Sequence, residues 1–206
     1  LYEAHPHIGT DLLCGIVKKI REEIIAYGGE VHFHSRMNDI RYENGKITAL
    51  LVNDEWIDCD ACIMAIGHSA RDTYRMLLPH LEMKPKAFAV GVRVEHKQEW
   101  IAQAQYKESA HHPKLKQAEY RLTTALSSQR GAHTFCMCPG GYVVASASSK
   151  GKLVVNGMSM HARNGENANA ALLVQVKEED YGNTIEGGLS FQEQMEEAAY
   201  QVSGSY

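Results

Sequence analysis

Asp60-Ala61-Cys62-Ile63-Met64-Ala65-Ile66-Gly67-His68-Ser69-Ala70-Arg71-Asp72 is the stretch whose reading decides the fold class. Ala61 to Ile66 is an unbroken apolar run, too short for a helix and closed by a glycine, the pattern of a strand buried on both faces. Ser69 and Asp72 have the spacing of a capping box. Tyr74, Leu77, Leu78 and Leu81 then recur at i, i+3, i+4 and i+7, which predicts a helix over 70–81. Strand, glycine turn and helix imply a parallel or mixed sheet, hence an α/β (mixed α+β) protein.

On the amino-terminal side, Leu12, Leu13, Ile16, Val17, Ile20, Ile24 and Ile25 share one helical face, with Lys18, Lys19, Arg21, Glu22 and Glu23 opposite. Thr10 or Asp11 is the expected cap and Gly28-Gly29 the expected stop, giving a helix over 11–27. Val31 to His34 reads as a strand. Residues 37–59, punctuated by the turn dipeptides Asn44-Gly45 and Asn53-Asp54, read as an antiparallel meander.

Past Pro85 the pattern changes. Phe88, Val90, Val92 and Val94 alternate with Ala87, Ala89, Gly91, Arg93 and Glu95, as in a half-buried strand. A helix over 98–105, a His/Lys-rich loop at 107–117 and strands near 119–126, 132–137, 142–147 and 153–158 follow. Ala170 to Val176 fits strand or helix, and Phe191 to Gln201 a helix. The expected division is 1–83, an α/β unit, and 84–206, a mainly β unit with a terminal helix.

With 206 residues, 21 Lys+Arg and 25 Asp+Glu, the net charge is −4, and no basic cluster offers the footprint that nucleic acids require. No apolar run approaches the roughly 20 residues of a membrane span. The length allows a core without disulfide or metal staples. Five cysteines without framework spacing, at 14, 59, 62, 136 and 138, point to a reducing, cytoplasmic setting. The chain opens on Leu1 and closes in a helical pattern, so a piece of a longer protein is expected.

Three sites carry possible chemistry. A helix N-terminus after a buried strand offers free N–H groups to phosphates, with His68, Ser69 and Arg71 as further donors beside Gly67. The same residues equally serve a plain turn. Cys136-Met137-Cys138-Pro139-Gly140-Gly141 puts two thiols on one face of an extended segment. That allows redox or metal work, although a zinc site needs two more ligands and free cysteine is often a small buried hydrophobe. Arg93 and Glu95 share a strand face with small residues, so they either line a cavity or sit in a sheet-to-helix contact with an ion pair. His5-Pro6-His7, His32-Phe33-His34 and His111-His112 read as solvated surface. No G-x-G-x-x-G or G-x-x-x-x-G-K-[ST] occurs, so these residues hold no phosphate-cradling loop.

The strings His7 to Asp11, Ala65 to Thr73, Gly91 to His96, Phe135 to Gly141 and Asn156 to Ser159, taken in order, resemble one family. It is a bacterial FAD-dependent dehydrogenase group labelled NAD-utilizing dehydrogenases, within the two-dinucleotide-binding-domain flavoproteins. The resemblance runs from about residue 5 to 176 and implies the middle of a longer chain, without the amino-terminal glycine motif or the carboxy-terminal return. It implies that residues 1–83 are part of an FAD-binding Rossmann-like domain and that Ile66, Gly67 and His68 lie toward FAD. Residues from 84 onward are then a mainly β inserted substrate domain. Arg93, Cys136, Cys138, Gly140, Gly141, Asn156 and Ser159 are candidates for its flavin or substrate face.

The expected function is that of a fragment of an FAD-dependent oxidoreductase of unspecified substrate, with NAD(P)H as a second cofactor. Its partners would be a small-molecule substrate and the remaining FAD-domain segments. This chain alone is expected to carry no stoichiometric flavin. The alternative is a non-catalytic nucleotide-, tRNA- or partner-binding module on the same architecture. Fold does not fix chemistry.

Overall fold

The computed structural model describes residues 7–204. Helix α1 (Thr10–Ala26) precedes a meander of β1 (Met37–Glu43), β2 (Lys46–Val52) and β3 (Glu55–Asp58), and α2 (Arg71–Leu77) follows. Then come β4 (Phe88–Lys97), α3 (Gln98–Tyr106), β5 (Thr123–Ala125), β6 (Gly131–Thr134), β7 (Gly141–Ala145), β8 (Val155–Ser159), β9 (Asn167–Val176) and α4 (Ile185–Ser203). The strands form three sheets, ordered β1-β2-β3, β4-β9-β6-β5 and β7-β8.

Local chemistry explains the meander. Asn44 and Gly45 adopt positive φ of 51° and 76°, and Asn53 one of 54°, which glycine and asparagine tolerate in tight hairpin turns. Ile40 and Ala49 are buried inside it, and the Arg41 guanidinium lies 4.2 Å over the Trp56 ring.

The second sheet is organised by β4 and β9, which pair antiparallel over ten residues from Phe88↔Val176 to Lys97↔Asn167. One face carries the core of Met137, Ala168 and Ala170, with Ile101 of α3 and Tyr120 packed against it. Further along that face Val92 and Leu172 lie opposite each other and stay 64% and 46% exposed. The β7-β8 hairpin covers the other face, where Arg93, Glu95 and Asn169 project: Val143 N donates to Glu95 Oε2 at 2.8 Å. Arg93 and Glu95 therefore sit beside a hairpin and not against a helix, Arg93 half-buried and Glu95 exposed.

Several expectations are corrected. All strand pairs are antiparallel, so no parallel pair exists among the described residues. Ala61 to Ile66 is not a paired strand. It runs with alternating exposure, Cys62, Met64 and Ile66 half-buried and Ile63 95% exposed, because no described strand lies alongside to take its backbone groups. Val31 to His34 is likewise no strand, and His34 has φ 56°, which breaks an extended run. Helix α2 stops at Leu77 rather than 81: Pro79 cannot donate to the helix ladder and would clash with the preceding turn.

The capping expectations also fail. Ala70 occupies the α2 N-cap without a side-chain bond, since the Asp72 carboxylate instead accepts from Arg36 Nη2 at 2.6 Å. Gly9, φ 94°, caps α1, while Asp11 Oδ1 accepts from His161 N at 2.8 Å. No residue of α1 is buried, and Leu12, Leu13, Val17, Ile20, Ile24 and Ile25 are each about half exposed. The amphipathic pattern formed the helix, but most of its apolar face stays half exposed, with Ile16 the apolar residue that is partly covered.

Arg71, expected among surface donors, is 5% exposed. Its guanidinium forks onto Glu196 of α4, Nη2 to Oε1 at 2.5 Å and Nη1 to Oε2 at 3.0 Å. Arg75 reaches Glu186 and Glu193, and Lys152 also reaches Glu193 at 2.8 Å. These ion pairs seat α2 and the β7-β8 connection on the last helix.

Candidate functional site

Four of the five strings meet at one place. His7 Nε2 donates to Met160 O at 2.9 Å, and His161 Nδ1 donates to Ile8 O at 2.7 Å, which lays the segment before α1 across the end of β8. A Cβ on Gly9 would overlap the His161 backbone, so only glycine permits this approach. Two residues on, Arg163 turns back, its N–H bonded to Met160 O at 3.0 Å. A Cβ on Gly140 would overlap the Arg163 carbonyl. The strings at 7–11, 135–141 and 156–159 are thus stacked backbone to backbone.

The fourth string brings Arg93. Arg93 Nη1 donates to Asn169 Oδ1 at 2.7 Å, and Asn169 is fully buried. Cys138 bridges to Asn169 through its own backbone, N–H to O at 2.7 Å. A Cβ on Gly157 would overlap Asn169 Oδ1 and Arg93 Nη1 and would lie 2.9 Å from Cys138 Sγ. Asn169 was missed by sequence reasoning. Its signal was an amide side chain within the alanine-rich run of β9, which in a packed strand needs a polar partner.

Arg93 Nε, Arg163 Nε and Asn169 Nδ2 are all buried and without a hydrogen-bond acceptor. Neither Arg93 nor Arg163 forms an ion pair among the described residues. The nearby carboxylate, Glu95, is already engaged by Val143 N and by Asn167 Nδ2 at 2.7 Å, and these bonds hold its pKa below the usual range. Glu95 stays ionised, so two guanidinium groups share one nearby carboxylate and one positive charge is left in excess. Burial pushes the Cys138 thiol up, against a smaller downward pull from Arg93 and Arg163, so the sulfur is a neutral thiol at neutral pH.

The other candidates divide between scaffold and periphery. Ser159 is buried, and its hydroxyl donates to Pro139 O at 2.5 Å; Gly141 has no room for a side chain against Met158 O. With Gly140 they fix the loop that presents Cys138. Cys136 is exposed, all five cysteines are free, and no three His, Cys, Asp or Glu side chains gather as a metal site among the described residues. Asn156 lies on the exposed side of β8, its Nδ2 bonded to Ser146 Oγ at 3.0 Å.

Ile66, Gly67 and His68 lie apart from this cluster, on the turn before α2. Gly67 has φ 69°, its carbonyl accepts from Tyr74 Oη at 3.1 Å, and a Cβ there would meet nothing. The face is open, but a helix of seven residues gives this turn a weak dipole. The pair His32/His34 is not on a strand; His32 Nε2 lies 2.7 Å from Glu30. His5 and Pro6 lie outside the described residues.

A cleft of about 500 Å³ is lined by Gln98, Tyr106, His111, His112 and Glu166. Gln98 donates to Ala118 O at 2.8 Å and accepts from Gly140 N at 3.1 Å, and His111 is 3.2 Å from Glu99. The unmatched donors among the described residues lie with Arg93, apart from Arg71 Nε, whose guanidinium is already forked onto Glu196.

Residues 87–206 match a family model described as FAD-dependent protein, C-terminal domain-like. The whole chain is 52% identical to an uncharacterized protein of Clostridium beijerinckii, over 98% of this chain and 39% of that one. The chain thus spans well under half the length of that relative.

Proposed function

The chain belongs to the FAD-dependent protein, C-terminal domain-like family, and from that membership we propose that it is the substrate-side part of a flavin-dependent oxidoreductase. In this reading residues 1–83 belong with a Rossmann-like FAD domain and residues 84–206 form the substrate domain. The observation that carries it is the meeting of three motif strings, through Arg93, Cys138 and Gly157, at Asn169, whose buried Nδ2 has no acceptor among the described residues. Groups left unmatched at such a cost are characteristic of a place where a ligand completes the set.

The residues fit FAD unevenly. The donors of Arg93, Arg163 and Asn169 suit the electron-rich edge of a flavin or the substrate beside it, whereas no glycine-rich loop is present to cradle a pyrophosphate. The phosphates would be held by segments outside this sequence, with Ile66, Gly67 and His68 closing on the cofactor from the open face of their turn. Ile63 at 95% exposure and the half-exposed apolar face of α1 support that reading, since both are surfaces a completed α/β domain would cover.

Bound FAD would supply hydride or electron transfer. The protein's own part is then to exclude water with the β7-β8 hairpin, hold Arg93 against Asn169 and keep Cys138 protonated. A small organic substrate, with NADH or NADPH as the electron partner, and a cytoplasmic setting complete the proposal; no described helix is long and apolar enough to cross a membrane. Purification of the full-length protein tests it. Oxidised-flavin absorbance at one FAD per chain, bleached anaerobically by NADH or NADPH, is the expected result. A colourless protein that takes up no added FAD would overturn it.

A further inference from the structure

Resting on that reading, we propose that Arg93 and Arg163 form the recognition site for the carboxylate of a small organic-acid substrate, with Asn169 as the positioning residue that holds Arg93. Two half-buried guanidinium groups beside one thiol, neither of them ion-paired within the described residues, constitute a local charge excess. Half-buried cations repel one another and are poorly hydrated, so an arrangement of this kind is stable in company with an anion. Guanidinium forks match planar carboxylates bidentately, which a lysine pair would not.

The charged surroundings are consistent with this assignment. Glu95, on the same face of β4, is the nearest candidate to neutralise Arg93. Its two oxygens are taken instead by Val143 N and Asn167 Nδ2. Asn169, nine-tenths and more buried, gives its Oδ1 to Arg93 while its Nδ2 lacks an acceptor, so one donor remains for the ligand or for a water that the ligand orders. Gly157 leaves the space in which these groups lie together: any side chain there would displace Arg93 from Asn169. Gly140 lets the Arg163 backbone pack against the loop that carries Cys138.

A simple carboxylate can probe the site before any substrate is known. Acetate and benzoate are titrated into the full-length protein, with acetamide and benzamide as neutral isosteres and chloride at matched ionic strength. The readouts are thermal shift and protection of Cys138 from iodoacetamide at alkaline pH, where a share of the thiol ionises, followed by peptide mass spectrometry in a Cys136→Ser background. The expected result is saturable protection by the carboxylates alone, weakened about tenfold or more in Arg163→Gln and partly retained in Arg163→Lys. Arg163 has no side-chain hydrogen bond or ion pair among the described residues, so this variant folds where Arg93→Gln, which also breaks the bond to Asn169, need not.

Equal protection by acid and amide, or an effect that chloride reproduces, overturns the proposal. The titration is run on protein with flavin bound and with flavin removed. Protection only in the flavin-free form overturns it as well, because the donors then belong to the cofactor. A protein without flavin that still binds benzoate through Arg163 refutes the oxidoreductase reading and leaves the carboxylate site standing.

Discussion

Arg71→Ala measures how firmly the start of α2 is tied to α4. Arg71 is 5% and Glu196 13% exposed, and the pair is a double-pronged contact with Gln192 Oε1 a further 3.4 Å from Nη2. Alanine removes the cation and strands the Glu196 carboxylate away from water. Breaking a buried pair from one side costs about 3–5 kcal/mol. For a chain of this size each kcal/mol lowers the melting temperature by roughly 2–4 °C, so a fall of about 10 °C is expected.

Arg36–Asp72 supplies the contrast. It is equally short at 2.6 Å, but both side chains are more than half exposed, and Arg36→Ala should cost under about 1 kcal/mol. Removing both buried partners in Arg71→Met/Glu196→Leu should recover most of the loss, since the desolvated charge goes with its counter-charge. Urea unfolding followed by circular dichroism, on the wild type, both singles and the double, gives the coupling energy. A loss below about 1 kcal/mol in Arg71→Ala, or a double variant as poor as the sum of its singles, refutes the assignment.

Gly157→Ala places a Cβ against Asn169 Oδ1, Arg93 Nη1 and Cys138 Sγ, so overpacking should cost about 1–3 kcal/mol, read as a lower melting temperature; an unchanged melt means the cluster is looser than described. Arg75 and then Lys152 hold Glu193 at a pKa of about 2, below its ordinary 4.5. Because the folded value is the lower one, the stabilisation is complete above the ordinary value and fades as pH falls toward 2. Glu193→Gln should therefore be less stable than wild type at neutral pH and converge with it across that window, and a constant gap across an acid series of melts argues against it. At Gly67, φ 69° strains valine by itself, whereas asparagine tolerates the left-handed region. Gly67→Asn in the full-length protein should fold normally yet lower FAD content after dialysis if the cofactor passes this turn, and full flavin retention removes Gly67 from the site.

What the sequence determined by itself was local. The Asn44-Gly45 and Asn53-Asp54 turns, the period of α1 and the alternation of β4 follow from backbone preferences and side-chain spacing, which travel with the residues. The strings at 7–11, 91–96, 135–141 and 156–159 were legible through their resemblance to one family, and Pro139-Gly140-Gly141 also as a turn.

What tertiary structure alone decided was partnership. Ala61 to Ile66 has the composition of a doubly buried strand, but pairing needs neighbours, and none of the described strands lies beside it. Arg71 looked like a surface residue because its buried counter-charge, Glu196, is 125 positions away. Asn169 drew no notice within an alanine-rich strand until β9 paired with β4 and the hairpin set Gly157 over it. Long-range pairing depends on which surfaces find complementary ones, and spacing along a chain carries no record of that.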